Sequence, residues 1–241
     1  MPELLVEYLS EEIPAGMQLK AKKDLRDIFD KSLKDTRFEG YSFKSFSGPR
    51  RITIVVSNLP SNQESFVEEK KGPSISAPAK AIEGFLRSNG IDNINKLEIR
   101  ELKKGKFYFL VRQIEGMSTS KVLESIIEES LKNFPWPKSM KWASGNSRWV
   151  RPLRNILAIY NGKVIPVSFA GVNSSNKTYG HRFLSPDKIV VKNFSDYRSK
   201  LLASKVIVDD ELRHKEICIQ IHELSKSKGL ELIEDKELVN E

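Results

Sequence analysis

Apolar and polar positions along the chain change period several times, and each change marks an element. Residues 3–9, ELLVEYL, alternate in part and predict a strand. In the SEEIP that follows, Pro14 suits the first turn of a helix, and Glu11 and Glu12 suit its positive end. Met17, Ala21, Leu25, Ile28, Phe29 and Leu33 recur at helical spacing, while Lys20, Lys22, Lys23, Asp24, Asp27 and Asp30 fill the other face. An amphipathic helix of about five turns is expected there. Gly40 ends it, and strands over 41–46 and 51–58 are joined through SGPR.

The next stretch repeats the mixture. A strand over 65–71 is expected to close at Gly72-Pro73, and Pro78 and Gly90 punctuate a short helix over 78–89. The charged run EEKKGPSIS (68–76) reads as a turn or a docking edge. Strands at 97–103 and 107–114 flank KKGK as a hairpin. Val122, Leu123, Ile126, Ile127 and Leu131 give the stripe of a helix over 119–133, capped by Ser118, Thr119 or Ser120 and stopped by Pro135 and Pro137. An irregular connection over 134–152 leads to strands 153–160 and 164–169 across an Asn161-Gly162 hairpin turn. A strand at 188–192, a helix at 195–204 and a longer helix over 209–228 complete the order, with a helix-like ELIEDKELVNE at the end. Strands and helices mix without regular alternation, so the expected class is α+β, with mixed or antiparallel sheets and packed helices. Two subdomains are expected, 1–132 and a basic 133–241, the second truncated at its C-terminal side.

Charge sharpens that division. Net charge is +8, and residues 130–186 hold no Asp or Glu but nine Lys and Arg. The whole excess is therefore local, and a local excess focuses a field that attracts anions, of which nucleic acid is the commonest large one. All three tryptophans, Trp136, Trp142 and Trp149, lie in its front part, FPWPKSMKWASGNSRWVRPLR. Tryptophan is usually buried, so the expected arrangement is a loop anchored by indoles with Lys and Arg facing outward. The candidate contacts to a polyanion are Lys138, Lys141, Trp142, Arg148 and Arg151, with His181 and Arg182 of YGHRF at the far end. His181 reads either as a phosphate or base contact or as a turn histidine satisfied by backbone. Arg50 and Arg51 of GPRRI read as a solvated start of a strand or as a secondary anion or partner contact.

Other chemistries find little support. The single cysteine, Cys218, provides no disulfide framework or metal-binding Cys pair. His214, Cys218 and His222 lie four apart on the last long helix, and the outer two, about 12 Å apart, cannot share one zinc. Ile217, Cys218, Ile221 and Leu224 are expected as that helix's buried stripe. P-loop, GxGxxG, HExxH and GxSxG motifs are absent. No apolar run reaches bilayer length, and the acidic N-terminus is no signal peptide, which favours a cytoplasmic protein without membrane contact. A reaction centre in the basic window would need carboxylates reaching in from elsewhere.

Seven short stretches carry a resemblance: LLVEYLSEEIP (4–14), PRRI (49–52), KKGPSI (70–75), AIEGFLRSNGI (81–91), KSMKW (138–142), VRP (150–152) and GHRF (180–183). In this order and spacing they resemble the N-terminal part of the β subunit of bacterial tetrameric glycyl-tRNA synthetase. Two departures stand out: Leu9-Ser10 where the family usually has Gly-Thr, and Ala143 where it has Gly. The resemblance implies a segment of a glycine–tRNA ligase, an aminoacyl-tRNA synthetase of protein biosynthesis, that contributes tRNA binding and subunit assembly. It implies a glycyl-tRNA synthetase α subunit carrying the site for ATP, Mg and glycine, with no cofactor, metal or catalytic residue in this chain. Further implied partners are tRNA(Gly) and a second β subunit in an α2β2 tetramer. HD-type and anticodon-binding domains would lie beyond residue 241. The alternatives are an assembly scaffold that docks the α subunit without touching tRNA, and an editing module that hydrolyses mischarged tRNA.

Overall fold

The computed structural model describes residues 2–102, 105–142 and 145–240. It is α+β, as expected, but its division is not the expected one. Residues 62–117 form one compact unit, and the residues up to Ser61 join those from Ser118 onward as the other. The break expected at 132/133 fails because strands from both sides of it pair in one sheet, whereas 62–117 closes on itself.

The larger unit begins with β1 (Glu3–Ser10), α1 (Ala15–Asp35), β2 (Ser42–Gly48) and β3 (Arg51–Ser57). The smaller unit holds β4 (Phe66–Ser74), α2 (Ala79–Ser88), β5 (Glu98–Leu102) and β6 (Gly105–Ile114). The chain then returns with α3 (Thr119–Lys132), β7 (Met140–Lys141), β8 (Arg148–Trp149), β9 (Leu153–Tyr160), β10 (Lys163–Val164), β11 (Ser168–Phe169) and β12 (Val172–Ser175). It ends with β13 (Lys177–Tyr179), β14 (Lys188–Val190), α4 (Phe194–Ala203), α5 (Asp210–Ser227) and α6 (Lys236–Asn240).

β1 is central. It pairs antiparallel with β3 on one side and β9 on the other, in a sheet ordered β11-β12-β9-β1-β3-β2, with β10 also on β9. Because side chains alternate across a strand, Leu4, Val6 and Tyr8 face one layer and Leu5 the other. The first layer is α1 and α3, whose Leu25, Phe29, Leu33, Leu123 and Ile127 are buried against the sheet. The second layer is the 188–208 segment, led by Val191, Tyr197 and Leu201. Each such side chain contributes on the order of 1.5–3 kcal/mol. Covering both faces is why LLVEYL is so apolar. Asn161 and Gly162 turn the chain between β9 and β10 at φ of 47° and 77°, the left-handed pair a two-residue hairpin requires.

In the smaller unit, β4, β6 and β5 form an antiparallel sheet with α2 on one face, packed through Phe85, Leu86, Tyr108 and Leu110. β4 does not stop at Gly72-Pro73. It runs through to Ser74, with its register shifting after Lys71. A Cβ at Gly72 would lie 2.9 Å from the Phe85 ring, so the glycine serves the close approach of α2 and not a turn. In the expected KKGK hairpin, Lys103 and Lys104 lie outside the described residues, as does Ala143.

The last long helix departs most from its pattern. α5 buries none of its residues, and Ile217 and Leu224 are exposed. Helical spacing identified a stripe, but within this chain little packs upon it. Among the described residues, no group of three or more His, Cys, Asp or Glu could hold a metal ion. No described helix is long and apolar enough to cross a membrane.

Candidate nucleic-acid interface

The tryptophan segment is more regular than an irregular connection. β7 and β8 form a short antiparallel hairpin, with Met140 opposite Trp149 and Lys141 opposite Arg148. Trp149 is its root. It is 1% exposed, and its ring lies 5.1–6.0 Å from those of Phe134, Trp136, Tyr8 and Phe169. Tyr8 donates or accepts a 2.6 Å hydrogen bond with Ser130, and burial pushes its phenol well up, so it stays neutral in this apolar wall. Trp142 is half-buried, 6.5 Å from the Phe169 ring. All three indoles therefore pack against the main core.

The hairpin's cations stay outside. Lys138, Lys141, Arg148 and Arg151 are exposed, and no ion pair to a described carboxylate holds any of them. Arg148 instead donates to Ser139 Oγ at 3.0 Å and to the Ser139 carbonyl at 2.8 Å, bracing the hairpin. Lys141 donates to Asn146 Oδ1 at 3.2 Å, and Arg151 to the Val150 carbonyl at 2.9 Å. Like charges directly opposite on paired strands repel. The Lys141–Arg148 pair is thus a local cost that an approaching anion would relieve.

Arg154 and the far end of the window are different, because carboxylates do reach them. Glu11 lies 3.4 Å from Arg154, 3.5 Å from Arg50 and 3.8 Å from Arg182, and Glu12 accepts from Arg182 at 2.7 Å. The Glu11 amide also bonds the Pro152 carbonyl at 3.1 Å, next to Arg151. The window is acid-free in sequence only. These carboxylates are the ones a reaction centre would need, but they are engaged by guanidinium groups. His181 takes the turn role: its Nδ1 accepts from the amides of Phe183 and Leu184 at 3.3 and 3.2 Å, so in the neutral ring the proton sits on Nε2. Gly180 is required beneath it, since a Cβ would lie 2.6 Å from the Ser185 carbonyl oxygen and 2.6 Å from Ser204 Cβ. We expect Gly180→Ala to cost roughly 1–3 kcal/mol by overpacking, read as a drop of several degrees in Tm. An unchanged Tm would mean the turn is free to move.

Arg51 is a correction. It is 7% exposed, and its guanidinium is engaged within the fold. Its Nη1 donates to Glu7 Oε2 at 2.9 Å and its Nη2 to the Tyr179 carbonyl at 2.9 Å. Tyr197 donates to the same Glu7 oxygen at 2.5 Å, Thr178 bonds Glu7 Oε1, and Thr53 lies 3.0 Å from the Tyr197 hydroxyl. Burial first, and then the charge of Glu7, push the Tyr197 phenol far up, so it remains a donor. A charged residue in the middle of an apolar strand was the signal: buried charge needs a partner, and RITIVV begins with one. Arg50, its neighbour, stays half-buried at the surface.

Fold and surface together define an α+β module with an indole-anchored, cationic strand pair. The chain belongs to the glycyl-tRNA synthetase beta subunit family, whose match covers residues 4–241. It is 41% identical over its whole length to a glycine–tRNA ligase beta subunit of Dinoroseobacter shibae, covering 34% of that protein. It is 40% identical to one of Cereibacter sphaeroides and 38% identical to one of Paracoccus denitrificans, again over its whole length, covering 35% and 36% of them. The chain thus spans about a third of the length of these curated relatives.

Proposed function

We propose that this chain is the tRNA-binding front segment of a glycine–tRNA ligase β subunit, acting in the cytoplasm in ATP-dependent attachment of glycine to tRNA(Gly). Adenylation, with its ATP and Mg, belongs on this reading to the α subunit of an α2β2 tetramer. The observation that carries the reading is the hairpin: four exposed cations without described carboxylate partners, on a scaffold fixed by Trp149. Phosphates are the anions such a surface meets in an RNA-handling protein. Arg182 extends it through Glu11, which joins it to Arg154 beside the VRP stretch, and His181 precedes it in the same turn.

Salt dependence tests it. If the four cations each meet a phosphate, the log–log slope of tRNA affinity against salt is about −3 to −4. Lys138→Glu with Arg151→Glu should weaken binding and flatten the slope by about 2. A slope near zero, or unchanged binding in the double variant, would sink the assignment.

A second reading, a docking scaffold for the α subunit, draws on α5, where Ile219 and Leu224 are more than half exposed. Ile219→Asp with Leu224→Asp would then abolish co-purification with α while leaving tRNA affinity intact.

A further inference from the structure

A cleft of about 380 Å³ opens beside the GHRF turn, lined by Glu12, Arg50, His181, Arg182, Lys205 and Arg213. Its floor is apolar, from Val206 to Val208, and Phe183 stands at its edge. We infer that this cleft receives one unstacked RNA nucleotide, its phosphate among Arg50, Arg182 and Lys205 and its base against Phe183. The inference rests on the tRNA-binding reading for the identity of its occupant, and extends it to a bounded site.

The charge arrangement asks for an anion. Arg213 donates to the carbonyls of Ile207 and Ser47, both at 3.0 Å, which fix its guanidinium, and the charges of Asp210 and Asp209 act on it from nearby. Lys205 is exposed, and no ion pair to a described carboxylate holds it. Arg50 has a buried Nε with no hydrogen-bond partner. Burial pulls the Arg50 guanidinium below its usual range, Glu11 opposes that, and the neighbouring charge of Arg182 adds to it. Burial likewise lowers Arg213. A phosphate would supply acceptors and negative charge to all of them.

The apolar half asks for a base. Phe183 is 77% exposed, with the Arg182 guanidinium 5.2 Å from its ring. An exposed ring beside cations is the platform on which single-stranded bases stack. The volume lies in the range of small-ligand pockets and suits one nucleotide. A duplex, whose bases are stacked and paired, does not offer one to it.

Glu12 makes the idea testable by sign. Its carboxylate occupies Arg182 at 2.7 Å, so an incoming phosphate must displace it. Titration of the chain with AMP, ribose 5-phosphate and adenosine by calorimetry should show saturable AMP binding. Arg182→Ala should weaken AMP at least about 10-fold, whereas Glu12→Gln should tighten it several-fold. Phe183→Ala should weaken AMP while leaving ribose 5-phosphate unchanged. All three changes sit at exposed positions, so the fold survives them. Absence of AMP binding, or shifts of the same sign in Arg182→Ala and Glu12→Gln, overturns the cleft. In that case tRNA binding with the salt slope above leaves the proposed function standing. AMP binding without any tRNA affinity overturns the RNA occupant and the proposed function together.

Discussion

Glu7→Ala is expected to lower the unfolding free energy by about 3–5 kcal/mol, the cost of leaving a buried partner charge uncompensated. The Arg51 guanidinium would keep its burial and lose its counter-ion, and Tyr197 and Thr178 would lose their acceptor. These groups come from β1, β3, β13 and α4, so the network clamps the 177–205 segment onto the sheet. The GHRF turn rides on that segment and should loosen with it. Urea unfolding of Glu7→Ala, Arg51→Met and the double variant Glu7→Leu with Arg51→Met provides the measurement. The double variant should recover most of the loss, because removing both charges together removes the desolvation cost as well. A double variant as unstable as Glu7→Ala would mean that the damage is not electrostatic. The network also opposes a slipped sheet: moving β1 by one residue would place the Glu7 carboxylate against Leu25 and Phe29.

Trp149→Ala is the second large effect. Truncating a buried tryptophan costs about 3–5 kcal/mol. Here it removes the ring on which Tyr8, Phe134, Trp136 and Phe169 converge. It also removes the residue paired with Met140 across the hairpin. The cations would survive in number but not in position. Affinity for tRNA should therefore fall although no charge has changed. Trp142→Ala, whose ring is half-buried and lies 6.5 Å from that of Phe169, should cost less in stability. Chemical denaturation separates the two variants, and binding at equal folded concentration reads the presentation of charge. A folded Trp149→Ala protein with parental tRNA affinity would detach the hairpin from its aromatic root.

Much of the fold was legible because local rules agreed with the tertiary outcome. The α1 stripe is buried at Ala21, Leu25, Phe29 and Leu33, as its spacing requires. The α3 stripe follows it at Val122, Leu123, Ile126, Ile127 and Leu131. Local rules were insufficient where a residue's role depends on distant chain. Arg51 looked like a solvated start of a strand, but its partner is 44 positions away in β1. Lys205 and Arg213 carried no motif, and only folding brings them beside Arg50 and Arg182. Phe183, 77% exposed, stands beside these cations only because the turn holds it there.

By itself, then, the amino-acid order determined the types of the longer elements, the α+β class, the family resemblance and the concentration of positive charge between 130 and 186. These are properties of period, composition and short-range spacing, which a chain carries before it folds. Tertiary structure alone decided that 62–117 is a separate unit, that Glu7 neutralises Arg51, and that Glu11 and Glu12 meet Arg50, Arg154 and Arg182. It also decided that Lys138, Lys141, Arg148 and Arg151 keep their outward exposure. The physical reason is common to all four: charge and burial act through distance in space, and the pairing of β1 with β3 and β9 sets those distances.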